Sequence, residues 1–365
     1  MEALILSCGT GGGHNSAAHA MEETLQSKGF HTTFLNPYDL VGEKVTERVN
    51  NAYIKIAQRT PRLFGLAYFL GNLYRLLPWR SPIYFANRRV GDALAKYLSE
   101  HKMDVVVTTH LFPAQMLTYL KEKGFPIPRH LFIATDYACI PFEEECFYDA
   151  CVIPSKDLTE EFVRRGIPRE KIFPLGIPVS GAFQKRKDKQ KAKAELGLDP
   201  ELQYLLVAGG SIGAGKIAVA VELLYAAVRN TNRKLIVITG NNTRMYHYLK
   251  KVHGDRIILL THTDQMGLYM KASDIYFTKP GGLSITEAAV SNIPIVLLPP
   301  IPGCENLNRD FFCQNGMAVR LTMKMPRLKE ILSLLEKPEV IHQMQSAQTK
   351  CINANAAGDI AELAM

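Results

Sequence analysis

The chain has 365 residues, 47% hydrophobic and 21% charged, with a formal net charge of +8. That length is comfortable for two domains, and the composition is that of an ordinary globular protein, not a disordered one. No apolar run reaches the ~18 residues that would span a bilayer, and the seven cysteines are scattered without the CxxC pairs of a zinc site.

In chain order, Ala3 to Ser7 reads as a buried strand and Asn15 to Ser27 as a helix ended by Gly29. The chain opens on that strand and shows no signal-peptide pattern, so a cytoplasmic protein with reduced thiols is expected. His31 to Leu35, Val105 to Thr108, Leu131 to Ala134 and Ala150 to Ile153 are further strands. A helical insertion, about Val45 to Leu98, separates the second from the third. Gly176-Ile177-Pro178-Val179 and the charged stretch Lys185 to Lys193 form a hinge. The rhythm then restarts, with strands at Tyr204–Val207, Leu235–Ile238, Ile257–Leu260, Ile275–Thr278, Ile295–Leu298 and Ala318–Leu321. Strands alternating with helices predict an α/β fold of two doubly wound, Rossmann-like domains, 1–178 and 179–365, facing a cleft. Ligands of such sheets sit beyond the carboxyl ends of the strands.

The positive charge is unevenly spread. Lys55, Arg59, Arg62, Arg75, Arg80, Arg88 and Arg89 fall in a segment without Asp or Glu. Phe64, Tyr68, Phe69, Trp79 and several leucines are interleaved with them. Such a mixture suits an anionic membrane surface, with Arg59, Arg62, Phe64, Tyr68, Arg75, Trp79 and Arg80 as the contacting set. Two helices packed on the domain core with solvated arginines would give the same pattern. Nucleic acid is not an expected partner.

Three loops carry the chemistry. Ser7-Cys8-Gly9-Thr10-Gly11-Gly12-Gly13-His14 joins the first strand to the first helix without Gly-x-Gly-x-x-Gly spacing. Asn36 and Pro37, not an acid, follow the second strand, which argues against a dinucleotide. His14 at a helix start suits a neutral imidazole base, or a residue that only hydrogen-bonds its own loop. Next, Gly210 to Lys216 fits Gly-x-x-x-x-Gly-Lys, but Ile217 stands where a magnesium-binding Ser or Thr belongs. A nucleotide diphosphate cradle is therefore favoured over an NTPase. The chain holds no Asp-x-Asp pair to clamp a metal-diphosphate, so no metal or cofactor is expected. Last, the strand ending at Thr278 runs into Lys279-Pro280-Gly281-Gly282 and a helix beginning near Ser284. Glycines allow close approach and the helix start favours an anion. Glu287, one turn on, can accept the two hydroxyl bonds that a ribose diol offers. Thr261 to Met266 forms one more strand-to-helix loop, either meeting a nucleoside or capped by Thr263 or Asp264.

Taken together, Gly-Gly-Gly-His14, Thr135-Asp136, Gly176-Ile177-Pro178, Thr263-Asp264-Gln265-Met266 and the Lys279–Asn308 block resemble the monogalactosyl- and processive glucosyl-diacylglycerol synthases of glycosyltransferase family 28. The resemblance runs in order over nearly the whole chain. It implies a GT-B fold, a UDP-sugar donor in the C-terminal domain and a lipid acceptor held by the N-terminal domain. It further implies that Gly209, Gly210, Ser211, Gly213, Gly215, Gly281 and Gly282 approach the diphosphate. Glu287 would hold the ribose, Glu305 and Asn308 the sugar, with Gly13, Gln265, Met266, Lys279 and Ser284 completing the donor set. His14 is the implied base for the acceptor hydroxyl, and Asp136 its partner or alternative. Relatives often carry a His and a Trp where this chain has Ile140 and Glu143, and Pro-Gly-Gln-Glu where it has Pro302-Gly303-Cys304-Glu305.

The expected activity is inverting, metal-independent transfer of a hexose from a UDP-sugar to diacylglycerol or a related lipid, at the inner face of the cell membrane. A polyprenyl-linked glycan or soluble acceptor, and a non-catalytic UDP-sugar sensor, are the alternatives.

Overall fold

Leu4, Ile5 and Leu6 of β1 (Glu2–Leu6) and Val105, Val106 and Val107 of β3 (Val105–Thr108) are all but inaccessible to solvent, as parallel strands covered on both faces must be. The computed structural model describes residues 1–365 apart from 10, 11, 60, 185–187, 211, 212 and 214. Side chains of 52–59, 61, 62, 64 and 255 also lie outside the description. The remaining strands are β2 (His31–Leu35), β4 (Arg129–Ile133), β5 (Ala150–Val152), β6 (Ile172–Phe173), β7 (Gln203–Ala208), β8 (Arg233–Ile238), β9 (Ile258–Leu260), β10 (Ile275–Thr278), β11 (Ile295–Leu297) and β12 (Val319–Arg320). They form two six-stranded parallel sheets, ordered β2-β1-β3-β4-β5-β6 and β12-β11-β10-β7-β8-β9. Ile5 of β1 aligns with Phe34 of β2 on one side and Val107 of β3 on the other. Phe277 of β10 stands likewise between Val207 of β7 and Val296 of β11.

Helices of the first half are α1 (Gly12–Ser27), α2 (Glu43–Arg59), α3 (Pro61–Tyr74), α4 (Pro82–Glu100), α5 (Leu111–Glu122) and α6 (Thr159–Arg164). Those that follow are α7 (Gly181–Gln184), α8 (Lys189–Glu195), α9 (Ile217–Val228), α10 (Thr243–His253), α11 (Met266–Ala272), α12 (Gly282–Val290), α13 (Cys304–Gln314), α14 (Met325–Leu334), α15 (Pro338–Cys351) and α16 (Ala356–Ala364). The helical insertion expected from the sequence is α2 to α4. The two-residue β6 was not legible, being too short to show a pattern. All seven cysteines are free thiols, and no helix among the described residues is long and apolar enough to cross a membrane.

The chain divides into an N-terminal unit, Met1–Ser180 with Asn353–Met365, and a C-terminal unit, Gly181–Ile352. This corrects the expected boundary of 179–365, because the last helix returns to the first unit. Ala356, Ala357, Ile360, Ala361 and Ala364 present a small apolar face to Ala18, Met21 and Leu25 of α1 and to Ile5 of β1. Asn353 Nδ2 donates to the Leu175 carbonyl and to Asp359 Oδ2, both at 2.7 Å, and so pins the start of the returning segment. Gly176, at φ +101°, lets the two strands of chain meet there: a Cβ would lie 3.1 Å from that of Ala356.

Ile360 is fully buried. Replacing it with Ala should destabilise the N-terminal unit by about 2–5 kcal/mol, read as a lowered urea midpoint. A loss below about 1 kcal/mol would show that α16 is not part of that core.

Candidate functional site

In the N-terminal sheet the strand order reverses at β1 and β3, so the loops leaving these two strands diverge and open a crevice. His14 lies in the first turn of α1, after β1. Thr109 and His110 follow β3, and Thr135 follows β4. His14 Nδ1 is 2.9 Å from the Thr109 carbonyl oxygen and 2.9 Å from Thr135 Oγ1. A carbonyl oxygen can only accept, so Nδ1 carries the proton and Nε2 is left with the lone pair. Thr109 is held in turn, its Oγ1 donating to the His14 carbonyl at 3.0 Å and lying 3.2 Å from Ser7 Oγ.

Burial holds the His14 imidazole below its ordinary value, against the opposing pull of the Asp136 carboxylate and the Thr109 carbonyl. His14 is therefore neutral near pH 7. Asp136 acts on it as a nearby negative charge that stabilises the imidazolium once a proton arrives.

His110 escaped the sequence reading. Its ring meets that of His14 edge-on, 4.5 Å between centroids at 78°. Its Nδ1 accepts the Phe112 backbone N–H at 3.1 Å and so caps α5. Burial, then the proximity of His14, push it well below the ordinary value. A polar Thr-Thr-His run at the carboxyl end of a buried strand was the available signal.

The segment thought to face a membrane is only partly what the sequence suggested. Arg75 is a correction: its side chain is 3% exposed, with Nε and Nη2 donating to Glu144 at 2.8 and 2.6 Å. Arg80 is not overturned: its guanidinium is engaged by Glu122 and by the Glu145 carbonyl, but its side chain stays 36% exposed. Tyr68 is half-buried. The charges of Arg75 and Arg80 are met by acids from well outside the segment, which local composition could not reveal. Arg59, Arg62 and Phe64 belong to α2 and α3, but their side chains lie outside the described residues. The apolar expectation fares differently: Leu63, Leu66, Phe69, Leu70 and Leu73 of α3 and then Leu76 and Trp79 are all exposed, Phe69 by 64% and Trp79 by 66%.

In the C-terminal sheet the order reverses between β7 and β10, and the loops after these strands carry the glycines. Gly213, at φ +59°, is pressed so tightly on the next loop that a Cβ would come within 2.1 Å of the Thr239 carbonyl oxygen. Gly209 is similarly closed in by Ile217. These two fold the loop; Gly210 and Gly215 are its open glycines. A Cβ on Gly210 would lie 3.5 Å from Lys279 Cε, and one on Gly281 3.4 Å from Lys279 Nζ. The two glycine turns thus converge on one ammonium group. Ser211 lies outside the described residues.

Lys279 forms an ion pair with Glu305 Oε1, while Glu305 Oε2 accepts the Ile301 N–H at 2.7 Å. Asn308 is fully buried and donates to the Pro280 carbonyl at 3.1 Å. Asn308 therefore holds the Pro-Gly-Gly turn in place, and Glu305 orients the lysine. Both have structural work that the sequence reading, which gave them to the sugar, did not include. The first turn of α12 has Gly281 as N-cap and no side-chain cap, which leaves its amides available to an anion. Ser284 lies in that turn. Half-buried Glu287, one turn further, makes no side-chain hydrogen bond among the described residues, and burial pushes its carboxyl up to about 8. Gln265 is the N-cap of α11 and Met266 its first residue. Thr263 Oγ1 accepts the Gln265 N–H at 3.1 Å in the turn ahead, and neither Thr263 nor Asp264 caps the helix, whose start has no side-chain cap.

Two parallel α/β units, each with its polar loops at the switch point of its sheet, define a GT-B protein. Solved structures agree on that fold. MurG of Acinetobacter baumannii superposes with a TM-score of 0.62 at 15% identity, over 99% of this chain and 98% of that one. The UDP-GlcNAc 2-epimerase of Neisseria meningitidis bound to UDP-GlcNAc gives 0.63 at 12% identity, over 99% of each. A fold shared with an epimerase does not select the reaction; the sequence families do. Residues 14–179 match the monogalactosyldiacylglycerol (MGDG) synthase model and residues 204–362 the glycosyltransferase family 28 C-terminal domain. The processive diacylglycerol beta-glucosyltransferase of Bacillus subtilis (strain 168) is 25% identical over 348 residues, 94% of this chain and 89% of that one. The chain belongs to this diacylglycerol glycosyltransferase group of family 28.

Proposed function

We propose that the protein transfers a hexose from a UDP-sugar to diacylglycerol or a closely related membrane lipid, with inversion at the anomeric carbon. The observation that carries the mechanism is the fixed Nδ1–H tautomer of His14, which leaves Nε2 as a neutral proton acceptor. Nε2 takes the proton of the acceptor hydroxyl as that oxygen attacks the anomeric carbon. The bond from that carbon to the diphosphate oxygen breaks, and UDP leaves with the electron pair. Asp136 stabilises the imidazolium that forms. On the donor side, Lys279, the backbone at Gly210 and Gly281 and the uncapped start of α12 oppose the charge developing on the diphosphate. Glu287, on the same helix, accepts the ribose hydroxyls.

Access to a lipid acceptor is supported by the exposed apolar side chains of α3 and of Leu76 and Trp79. A monomer has no reason to leave so many large apolar groups of one short segment in water, and an interfacial helix buries just such a face among acyl chains. With Arg75 buried against Glu144 and Arg80 already paired with Glu122, the apolar face, more than these two arginines, supplies the affinity. The protein would therefore work at a membrane surface without spanning it. Glu143, which replaces the Trp common in relatives, is 2% exposed and accepts the Ile140 N–H at 3.1 Å. The departure from the family pattern is thus an inward-facing acid that braces the loop after Asp136.

Diacylglycerol-containing vesicles with UDP-glucose should yield UDP and glycosylated lipid in equal amounts. His14→Ala should lower kcat by at least about a hundredfold and leave UDP affinity, measured by calorimetry, nearly unchanged. The active form is the neutral imidazole, so kcat/KM should rise with pH through a midpoint below the ordinary histidine value of 6.5. Equal turnover in the two proteins would remove His14 from the mechanism.

A second prediction concerns Glu287. Its carboxyl titrates near 8 when free, and two hydroxyl donors favour the carboxylate, so the bound group must titrate lower. Ligand binding then releases a proton below pH 8, and UDP affinity climbs by up to about tenfold per pH unit toward that value before levelling off. In Glu287→Gln this part of the slope should vanish. Identical slopes in both proteins would remove the ribose contact.

A further inference from the structure

We propose that Arg75 is a positioning residue for the acceptor half of the site: its ion pair with Glu144 fastens the loop that carries Thr135 and Asp136 to the C-terminal end of α3. The proposal rests on the reading of His14 as the base.

The loop leaves β4 at Ala134 and first regains regular structure in the 3-10 turn Glu143–Glu145. Three successive glutamates there diverge to three partners. Glu143 turns inward onto its own loop at the Ile140 amide. Glu145 accepts from the Ser81 amide at 3.0 Å and from Gln115 Nε2 at 2.6 Å, joining the loop to the starts of α4 and α5. Glu144 reaches Arg75, the residue that directly follows α3. There Arg75 makes the two-pronged pair, and its Nη1 adds longer bonds to the Cys139 carbonyl at 3.3 Å and to Asn72 Oδ1 at 3.4 Å. Planar guanidinium meeting carboxylate at two points fixes angle as well as distance.

Packing reinforces the fastening. A Cβ on Gly71 would lie 3.3 Å from Pro141 Cβ and 3.6 Å from Phe142 Cε2, so α3 touches the loop with backbone and no spacer. Tyr74 meets the Phe142 ring edge-on at 6.1 Å. Phe142 itself is held at φ +79°, a conformation a bulky side chain adopts only under constraint. One face of α3 thus grips residues 139–144 while its other side exposes Leu66, Phe69, Leu70 and Leu73. At its near end the same loop places Thr135 Oγ1 against His14 Nδ1. The helix that offers an apolar face to the lipid is, through Arg75, attached to the residues that orient the base.

Arg75→Met and Glu144→Gln, assayed on phosphatidylglycerol vesicles containing diacylglycerol with UDP-glucose, should each lower kcat by about ten- to a hundredfold, the scale of a small misplacement at the reacting centre. The double variant should lose no more than the worse single one. KM for UDP-glucose and vesicle binding, followed by the fluorescence of Trp79, the one tryptophan, should stay at wild-type values. Arg75→Lys should recover part of the loss. Wild-type kcat in Arg75→Met, or a loss confined to donor KM or vesicle binding, would overturn the proposal. Should Arg75→Met fail to fold, Gly71→Ala keeps the ion pair and presses a methyl on Pro141; reduced kcat at unchanged melting supports the coupling, and unchanged kcat refutes it. Absence of lipid product from the wild type would instead refute the proposed function itself.

Discussion

One hydrogen bond organises the acceptor half of this protein: the imidazole Nδ1 of His14 on the carbonyl oxygen of Thr109. It selects the tautomer, directs the lone pair to Nε2 and fixes the ring against the end of the neighbouring strand. Burial keeps the ring neutral, while Asp136 supplies the negative charge that makes protonation tolerable when it comes. Removing either influence would spoil the compromise. A well-solvated His14 would hold its proton at higher pH, and one without the carboxylate would be a weaker acceptor. The threonine hydroxyls around it serve the same end, since Thr109 and Thr135 both brace His14.

The donor half solves a different problem by the same topology. Each sheet reverses its strand order once, and in each the polar loops gather at that reversal. In the C-terminal unit the gathered groups are an ammonium, two open glycines and a helix start without a side-chain cap, a set that suits an anion such as a diphosphate. Glu287 is costly there: a half-buried carboxyl without a partner among the described residues has a raised proton affinity, which the proposed ribose diol would relieve. Glu305 bonds the lysine and the Ile301 amide and Asn308 bonds the turn, so both add rigidity to the site.

Much of this was legible in the sequence, for physical reasons that also set the limits. Buried parallel strands are short apolar runs, and β3 and β10 stand at the residues where such runs begin and end. Gly-Gly-Gly-His14 and Pro280-Gly281-Gly282 are local signals, because a turn and a helix start need their special residues side by side. Long-range partners left no such trace. Nothing near Arg75 announces Glu144, so an arginine that looks solvent-facing in a charge pattern is buried in an ion pair in the fold. The return of α16 was hidden for a similar reason: alanines at helical spacing show a buried face but not whose face covers it. His110 was passed over because a single histidine at a strand end has no spacing to test.

The central claim is that His14 is a neutral imidazole with its proton on Nδ1, and nitrogen-15 NMR of histidine-labelled protein tests it directly, with His14→Gln identifying the resonances. The account predicts an Nδ1–H tautomer whose titration midpoint lies below 6.5, with Nε2 free to take the acceptor proton. An Nε2–H tautomer, or a ring still protonated near pH 7, would contradict it and leave Asp136 as the base.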